Sequence, residues 1–435
     1  MVIQNKKIAI IGGGPGGLTL ARLLQLKGAD VEVYERDLNQ EARVQGGALD
    51  LHTDSGLAAL QKAGLLEDFK LNYRPGAELT RVTDHNAIIM ADQHSKLMES
   101  TTTQSSQKPV SPIDSFGDKH HRPEIDRGPL RDILLNSLLP NTIIWNSHIT
   151  SISPNGRQWE ISFQNGEKTY ADLVIGADGA NSKIRPFLTA IKPYWTGITM
   201  LEGSIQDAQK TAPTIHALLN GGKIFAFGKE QTLIVSSKGN GSFGFSVSFK
   251  SDEHWVQDSG IDFKDHAQVL QWFKTEFKDW DQVWWELFSH ESTLFIPRPQ
   301  YCMPLDQQWE SKSNLTLLGD AAHWMPPFAG EGVNMAMLDA LQLSEALTSD
   351  KFTDSATAIA HYERHMLKRF SKVGQETLFN TNWMHQQNAL KNMLAMFSDQ
   401  KCKQGLFMLK YMIHVALIPA WRKLIGLSPK KEVFR

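Results

Sequence analysis

The chain has 435 residues, of which 41% are hydrophobic and 21% are charged, and its formal net charge is −2 at pH 7. This length exceeds what one simple hydrophobic core supports, so we expect two domains with the composition of an ordinary globular protein. The nearly balanced charge excludes a general attraction for nucleic acid or for acidic lipid.

The first predicted element is a short strand, Lys7–Ile11, that runs directly into a glycine turn. Gly12, Gly14 and Gly17 have the spacing G-x-G-x-x-G, a helical pattern follows, and a second short strand ends in Glu35. This order is the dinucleotide-binding fingerprint, in which the phosphates bind at the helix N-terminus. The Glu35 carboxylate would accept hydrogen bonds from a ribose 2′-OH and repel a 2′-phosphate, which favours FAD or NAD over NADP. The alternative is a glycine-rich turn without a ligand.

Two loops are predicted before the next ordered region. Arg43 and Asp50 stand at the ends of a loop with paired glycines, which can approach a ligand but, taken alone, is more often solvated. From residue 92 to residue 121 the sequence is polar and repetitive, which predicts a mobile loop. The pair His120-His121 at its end lacks the further ligands that a metal site needs.

The middle of the chain predicts a buried strand and then a second sheet. The strand ends at Asp178-Gly179, and alternating strands with glycine turns follow from about residue 191 to residue 249. This alternation predicts an antiparallel sheet in a separate domain, followed by a helical stretch from Trp272 to Phe288. The aromatic residues of the sheet suit a flat apolar ligand or form simple core: Phe225, Phe227, Phe243 and Phe245.

A third informative stretch begins where a strand ends at Gly319-Asp320. A loop fixed by prolines then leads to a glycine-rich turn and to a helix from Val333 to Leu347. The layout again directs a turn of small residues into a helix N-terminus, where a second anionic or polar ligand group can bind. Because this second site lies far along the chain, it favours the longer ligand, FAD.

These three motifs, in this order, resemble those of the FAD-dependent aromatic hydroxylases, the p-hydroxybenzoate hydroxylase-like flavoprotein monooxygenases, over roughly residues 5 to 350. Within that superfamily, the runs Val33–Asp37, Glu41–His52 and Gly319–Asn334 are similar to those of the tetracycline-inactivating flavin monooxygenases. The predicted fold class is α/β: a Rossmann-like FAD-binding domain with an inserted antiparallel-sheet substrate domain and a helical C-terminus. The predicted boundaries are 1–70, 100–190 and 290–350 for the FAD-binding domain, 71–99 and 191–289 for the substrate domain, and 351–435 for the C-terminal helical segment.

The resemblance also implies residue roles. Glu35 and Arg36 hold the adenosine end of FAD, Asp50 and Arg127 contact FAD from loops, and Asp320 binds the ribityl chain. Arg43 is the position associated with NADPH. The helix that starts at Gly332, Val333 and Asn334 would direct its positive end toward the flavin pyrimidine ring.

The implied reaction is the insertion of one oxygen atom into an aromatic, enolic or polycyclic small molecule. NADPH reduces FAD, O₂ forms a flavin C4a-hydroperoxide, and this oxidant attacks an electron-rich carbon, so no catalytic side chain is assigned. His323, next to the Gly-Asp pair, is interpreted as a packing residue. The substrate positions of the tetracycline-inactivating enzymes correspond to Glu202, Lys223 and Gly244, where those relatives have an amide, a guanidinium and an imidazole. Tetracycline and other phenols, enols or polycyclic compounds therefore stay open as substrates.

Two other functions stay open at this point. One is a flavin dehydrogenase or reductase of the same fold that inserts no oxygen, and the other is a non-enzymatic flavoprotein that sequesters an aromatic ligand. The apolar stretch Leu406–Trp421 is too short and too polar to span a bilayer; the segment around it could lie on a membrane surface, cover the cleft or pack against the protein. The early first strand leaves no room for a signal peptide, and two cysteines, Cys302 and Cys402, suit a reducing cytoplasm. We expect a cytoplasmic monomer without a metal site.

Overall fold

The computed structural model describes residues 1–42, 46–95, 122–291 and 293–397. Arg43, the pair His120-His121, Cys402 and the C-terminal stretch 398–435 lie outside the described residues, together with most of the polar loop. Within the described part of the chain, none of the helices is both long enough and apolar enough to cross a membrane.

The described chain alternates strands and helices in its first half and ends in helices. The strands are β1 (Lys7–Ile11), β2 (Asp30–Tyr34), β3 (Leu49–Asp50), β4 (Thr80–Asp84), β5 (Ile89–Asp92), β6 (Glu124–Ile125), β7 (Ile143–Ile144), β8 (Ile149–Asn155), β9 (Gln158–Phe163), β10 (Lys168–Ala171), β11 (Leu173–Gly176), β12 (Tyr194–Ile205), β13 (Lys223–Phe227), β14 (Gln231–Ser237), β15 (Phe243–Lys250), β16 (Ile296–Cys302) and β17 (Leu315–Leu317). The α-helices are α1 (Pro15–Gln25), α2 (Gly56–Ala63), α3 (Leu66–Asn72), α4 (Arg127–Asn136), α5 (Ala208–Thr211), α6 (Pro213–Leu219), α7 (Trp255–Asp258), α8 (His266–Glu276), α9 (Asp320–His323), α10 (Gly332–Thr348), α11 (Ser355–Met384) and α12 (Ala389–Phe397). Short 3₁₀ helices cover Arg185–Phe187, Gln282–Leu287 and Pro327–Ala329.

A five-stranded parallel sheet forms the first layer, with the strand order β17-β11-β1-β2-β7. Its central strand β1 is almost wholly buried because helices cover both faces of such a sheet, which explains the continuous apolar run in the sequence. In the pairing registers, Ile11 lies beside Gly176 and Gly176 beside Leu317. The carboxyl ends of β1, β11 and β17 therefore meet at one edge, which brings together the three loops that carry the sequence motifs.

A seven-stranded sheet forms the second layer, with the order β16-β12-β15-β14-β13-β4-β5. The pairs from β16 to β13 are antiparallel, as predicted, but β13 pairs in parallel with β4. The sequence did not predict this parallel pair, because β4 and β13 are distant in the chain and no local pattern encodes their pairing. The predicted α/β class is confirmed: a parallel-sheet layer, an inserted and mainly antiparallel sheet, and helices at the end of the described chain. The residue boundaries of the domains stay a prediction.

One face of the second sheet packs into an aromatic core. Phe243 and Phe245 of β15 point into this core together with Phe273 and Phe288. Of the two alternatives left open by the sequence for these strand residues, a ligand surface or simple core, the structure supports simple core for both. The helical stretch predicted over 272–288 is also interrupted, because α8 ends at Glu276 and the 3₁₀ helix begins only after Asp281, whose side chain accepts the Val283 N–H at 2.8 Å.

Helix α11 connects the two layers. Near its start, the Tyr362 hydroxyl donates to the carbonyl of Leu317 in β17 at 2.9 Å. At its far end, the Thr232 hydroxyl of β14 donates to the carbonyl of Met384 at 2.8 Å. One 30-residue helix thus contacts a strand of each sheet and fixes the relation between them.

Candidate functional site

In the first glycine turn, two glycines lie too close to carbonyl oxygens to carry a side chain, and a third glycine faces open space. Gly12 has φ of +112°, and a Cβ there would lie 2.3 Å from the carbonyl oxygen of Ala177. A Cβ on Gly17 would lie 2.1 Å from the carbonyl oxygen of Gly12, so the turn closes only with glycine at both positions. At Gly14, in contrast, no atom of the described residues comes within 4 Å of the Cβ position. The turn therefore leaves room for a phosphate beside the N-terminus of α1, whose first N–H groups lack intrahelical partners.

Glu35 lies directly against this turn. Its Oε2 accepts the N–H of Gly13 at 2.7 Å and its Oε1 accepts the N–H of Asp37 at 3.0 Å, and the residue is only 6% exposed. A carboxylate has about four acceptor positions, so these bonds orient the group and leave capacity for a ribose hydroxyl. Arg36 follows on the surface. Both residues therefore lie where the adenosine end of a dinucleotide would leave the glycine turn.

Asp320 forms the second part of the site at the end of β17. Its side chain is exposed, and no hydrogen-bond donor of the described residues reaches its carboxylate. The surrounding protein nevertheless desolvates the carboxylate and raises the pKa of Asp320, with a partial offset from His323, Arg127 and Arg185. An acceptor group that lies in a recess without a donor suits the hydroxyl groups of a sugar alcohol chain.

Arg185, which the sequence did not single out, holds two of the motif loops together. Its Nε donates to the carbonyl of Ala321 at 2.6 Å, and its Nη2 donates to the carbonyls of Asp320 and Ala180 at 2.9 Å. Asp178 uses its Oδ2 to accept the backbone N–H of Lys183 at 2.6 Å, so this side chain closes the turn after β11. An arginine several residues after an Asp-Gly pair carries no sequence signal of its own, which is why it was missed.

A buried charge network lies behind the Gly319-Asp320 turn. Asp339 of α10 accepts the N–H of Gly319 at 2.9 Å, pairs with Nε2 of His323 at 2.6 Å, and pairs with Arg369 of α11. Burial alone would raise the pKa of Asp339, but His323, Arg369 and the Gly319 N–H outweigh it and lower the pKa. His323 is therefore part of the support of the turn and does not face the cleft.

The N-terminus of α10 is fastened to the loop around Asp50 by one amide side chain. Asn334 is fully buried; its Oδ1 accepts the N–H of His52 at 2.9 Å and its Nδ2 donates to the carbonyl of Asp50 at 2.9 Å. Because these bonds use both ends of the amide, contacts from Gly332, Val333 and Asn334 to a ligand would come from the backbone N–H groups of the first helical turn.

Asp50 itself is part of an acid–imidazole–acid cluster. Nε2 of His52 lies 3.0 Å from Oδ2 of Asp50, and Nδ1 lies 3.3 Å from Oε1 of Glu331. Burial disfavours the charged imidazole, but the hydrogen bonds to the two carboxylates outweigh it and raise the pKa of His52 to about 9. A protonated His52 thus joins the loop of β3 to the residue before α10.

Arg127 interacts with the loop before β3 and, through its charge, with Asp320 and with Glu202 of the second sheet. Its Nε donates to the carbonyl of Gly47 at 3.1 Å, and the side chain is exposed. The protein around it lowers the pKa of Arg127 by desolvation, while the charges of Glu202 and Asp320 act in the opposite direction. The Arg127 guanidinium therefore lies within electrostatic reach of the FAD-side carboxylate and of the second sheet.

The second sheet turns its polar face toward this cleft. We call the polar part of this surface the cleft face and define it by Glu202, Ser204, Lys223, Ser236, Gly244 and Ser246. Ser204, Gly244, Ser236 and Lys223 form one row of register partners, and Glu202 and Ser246 belong to the next row. On the same side of the sheet, Ile234 and Phe225 continue the row of Glu202 and Ser246 and pack toward α11 and α12. Glu202 pairs with Nε of Arg298 at 3.1 Å, and Lys223 pairs with the buried Glu124. Both substrate positions predicted from the sequence thus lie on one face.

The glycine spacing G-x-G-x-x-G occurs a second time, at Gly239, Gly241 and Gly244. These residues lie in the turn and start of the antiparallel hairpin of β14 and β15, with no helix after them. A dinucleotide fold needs a strand, a turn and a helix, so this second run is not one. Within the described residues, the fingerprint at Gly12 is the one with that context.

Comparison with known proteins connects this geometry to a family. A family model described as an FAD binding domain matches residues 5–113 and 306–377. The monooxygenase asqM of Emericella nidulans is 27% identical over 394 residues, which cover 78% of this chain and 83% of that protein. The structure of Klebsiella pneumoniae HpxO complexed with FAD and uric acid has a TM-score of 0.67 at 19% identity and covers 90% of this chain and 92% of that one. The tetracycline destructase Tet(55) has a TM-score of 0.67 at 19% identity, with 89% of this chain and 92% of that one covered.

The two solved structures establish the fold alone, because both are only 19% identical to this chain. The match to the FAD binding domain spans the turn at Gly12, the carboxylate of Glu35 and the turn at Asp320. The asqM relative, a monooxygenase, matches over most of its own length. The chain is therefore similar to FAD-dependent monooxygenases, and these comparisons support that activity for it.

Proposed function

We propose that the protein is an NADPH-dependent FAD monooxygenase that inserts one atom of O₂ into a phenolic, enolic or polycyclic small molecule. The observation that supports this most is the contact between the two layers at Gly47: Arg127 donates to its carbonyl at 3.1 Å, and a Cβ on Gly244 of the second sheet would lie 3.6 Å from its Cα. The FAD side and the cleft face then border one cleft, where a substrate can lie next to the reactive end of the flavin.

The chain offers a binding group for each part of the cofactor. The glycine turn and the N-terminus of α1 would hold the pyrophosphate, Glu35 and Arg36 the adenosine end, and Asp320 the ribityl chain. When bound, FAD reduced by NADPH would supply the oxygen chemistry. The first N–H groups of α10 would stabilise negative charge on the flavin ring, since the positive end of a helix dipole favours an anion.

The described residues contain no second dinucleotide-binding fold that could hold NADPH. NADPH would therefore bind only transiently beside the flavin, and Arg43 is the residue that the resemblance associates with it. Asp50, His52 and Glu331 would hold β3 against the start of α10.

The cleft face suits a flat ligand. Gly244, Ser236 and Ser246 lie between the strands of Glu202 and Lys223 and leave space above the sheet, and Ile234 and Phe225 add apolar surface beside them. The two charged residues lie three strand spacings apart, or roughly 14 Å, which several fused rings can span. An acid at one end and a base at the other would orient the polar groups of such a ligand.

Helix α11 would help to keep water out of the cleft. Asn380 Nδ2 donates to the carbonyl of Phe328 at 3.1 Å, and the Thr377 hydroxyl donates to the carbonyl of Pro326 at 3.4 Å. These bonds fix the proline loop before α10 from the side opposite Asp50. A fixed loop and a dry cleft protect a reactive oxidant from decay.

The test is to follow NADPH oxidation and O₂ uptake by the flavin-loaded protein with tetracycline, 4-hydroxybenzoate or urate. We expect one of these ligands to accelerate both in equal amounts and to yield a product heavier by one oxygen atom. Ligand-stimulated NADPH oxidation in which all oxygen becomes hydrogen peroxide would point to a reductase instead. Tight binding without NADPH consumption would point to a sequestering flavoprotein.

A matched pair of variants tests the cleft face in the same assay. Glu202→Gln should raise the KM for the accelerating ligand and leave the flavin content unchanged. Glu230→Gln removes a carboxylate directly before β14, at the open end of the β14–β15 hairpin, where Glu230 pairs with Lys250 at 2.8 Å, and should leave the KM unchanged.

A further inference from the structure

Lys238 is a cation over the cleft face that the sequence patterns did not single out. It lies in the turn between β14 and β15, where its N–H donates to the carbonyl of Ser242 at 2.9 Å and its carbonyl accepts the N–H of Gly241 at 3.2 Å. The closed turn directs the side chain back over the sheet. Its Nζ lies 3.4 Å from Oγ of Ser204, and a Cβ on Gly244 would lie 3.4 Å from its Cε.

The glycine at position 244 gives this side chain its room. Gly244 lies in regular strand pairing, so its backbone does not require glycine. A Cβ there would also lie 3.6 Å from Cα of Gly47, in the loop that Arg127 holds. The Lys238 ammonium therefore lies between the second sheet and the FAD-side loop, where a ligand on the cleft face would meet it.

Three other cations of this region have acidic partners. Lys223 pairs with Glu124, Arg298 pairs with Glu202 at 3.1 Å, and Arg74 pairs with Asp126 at 3.0 Å. No carboxylate of the described residues lies within ion-pair distance of Lys238; its hydrogen-bond partner is the Ser204 hydroxyl.

The surroundings of Lys238 disfavour its charge. Desolvation by the protein lowers the pKa of Lys238, the charge of Asp126 raises it, the charge of Arg127 lowers it and that of Glu202 raises it, and the net effect is a lowered pKa. A partly desolvated cation beside a second cation gains most from a negative group brought by a ligand.

We propose that Lys238 and Ser204 form a subsite for an ionised oxygen of the substrate, namely a carboxylate, phenolate or enolate. This assignment rests on the proposed function, since it takes the cleft face as the substrate surface. It narrows the substrate class to flat compounds that carry a negative charge at neutral pH and makes Lys238 a specificity-determining residue.

The test measures binding to the oxidised, flavin-loaded protein through the change in flavin absorbance, without NADPH. The probes are two pairs of equal shape, 4-hydroxybenzoate with 4-hydroxybenzamide and 2-naphthoate with 2-naphthamide. Because no turnover is needed, the result does not depend on whether oxygen is inserted. We expect an anion to bind about tenfold more tightly than its amide, the range of one charge-assisted hydrogen bond.

The variants separate the charge of Lys238 from its bulk. Lys238→Met should weaken the anion about tenfold and leave the amide unchanged, and Lys238→Arg should restore most of the difference. The control Lys250→Met changes a lysine at the other end of β15, six residues from Gly244, where it pairs with Glu230, and it should have no effect. Equal affinity for anion and amide, unchanged anion affinity in Lys238→Met, or no binding of either anion by the unmodified protein would overturn the assignment.

Discussion

The substitution Asp339→Ala tests whether the network behind the Gly319-Asp320 turn positions the cofactor site. Asp339 is fully buried and accepts the N–H of Gly319 at 2.9 Å while it pairs with His323 and Arg369. Its removal leaves Arg369 without its carboxylate partner and frees the backbone next to Asp320. Breaking a buried ion pair from one side costs about 3–5 kcal/mol.

This cost is large against the total stability of a domain, which is about 5–15 kcal/mol. The variant should still fold, with a lower free energy of unfolding in urea. The loosened turn should also weaken FAD binding by about tenfold or more, because a carboxylate–hydroxyl contact contributes about 1.5–3 kcal/mol and 1.4 kcal/mol corresponds to a factor of ten.

The assay pairs urea unfolding of the flavin-free protein with FAD titration followed by flavin fluorescence. Thr348→Ala is the control, since its hydroxyl donates to the Ser344 carbonyl at 2.8 Å at the other end of the same helix. It should change stability by less than about 1 kcal/mol and leave FAD affinity unaltered. If Asp339→Ala loses stability but binds FAD as well as the control does, the network supports only the core and the positioning argument is refuted.

Two further predictions concern the glycine turn and the histidine cluster. Gly12→Ala should abolish flavin retention, because its Cβ would lie 2.3 Å from the Ala177 carbonyl oxygen. The control is Gly28→Ala, which is also at positive φ but has no described atom within 4 Å of its Cβ position. This control should retain flavin and lower the free energy of unfolding in urea by only about 1 kcal/mol. The raised pKa of His52, about 9, should give a stability contribution that is fully present below pH of about 6.5 and lost as pH rises through about 9. Its size is up to about 3 kcal/mol, and a pH series of unfolding curves that runs parallel for His52→Gln and the unmodified protein would contradict it.

Motifs tied to local chain geometry could be predicted from the sequence. The turns at Gly12 and Asp320 each follow a buried apolar run, and the carboxyl ends of neighbouring parallel strands meet at one edge, so their convergence follows from general rules. Glu35 was found in the same way, at the end of the second strand.

Residues that act across the fold carried no such signal. From the sequence, Asp339 is predicted as an ordinary helix residue and Lys238 as a solvated turn residue. Only long-range packing brings Asp339 to the Gly319-Asp320 turn and Lys238 to the cleft face. The alternation in β15 correctly separates two sets of side chains, but it does not tell which set is buried. For this reason the sequence left open whether Phe243 and Phe245 face a ligand or the core, and the structure places them in the core.

The most direct test of the central claim is the fate of the oxygen atoms. Flavin-loaded protein, NADPH and the ligand that most stimulates NADPH oxidation are incubated under ¹⁸O₂, and the product is analysed by mass spectrometry. We predict a product that contains one ¹⁸O atom per molecule, in an amount equal to the NADPH consumed above the ligand-free rate. Recovery of all the ¹⁸O as hydrogen peroxide, with the ligand unchanged, would contradict the account.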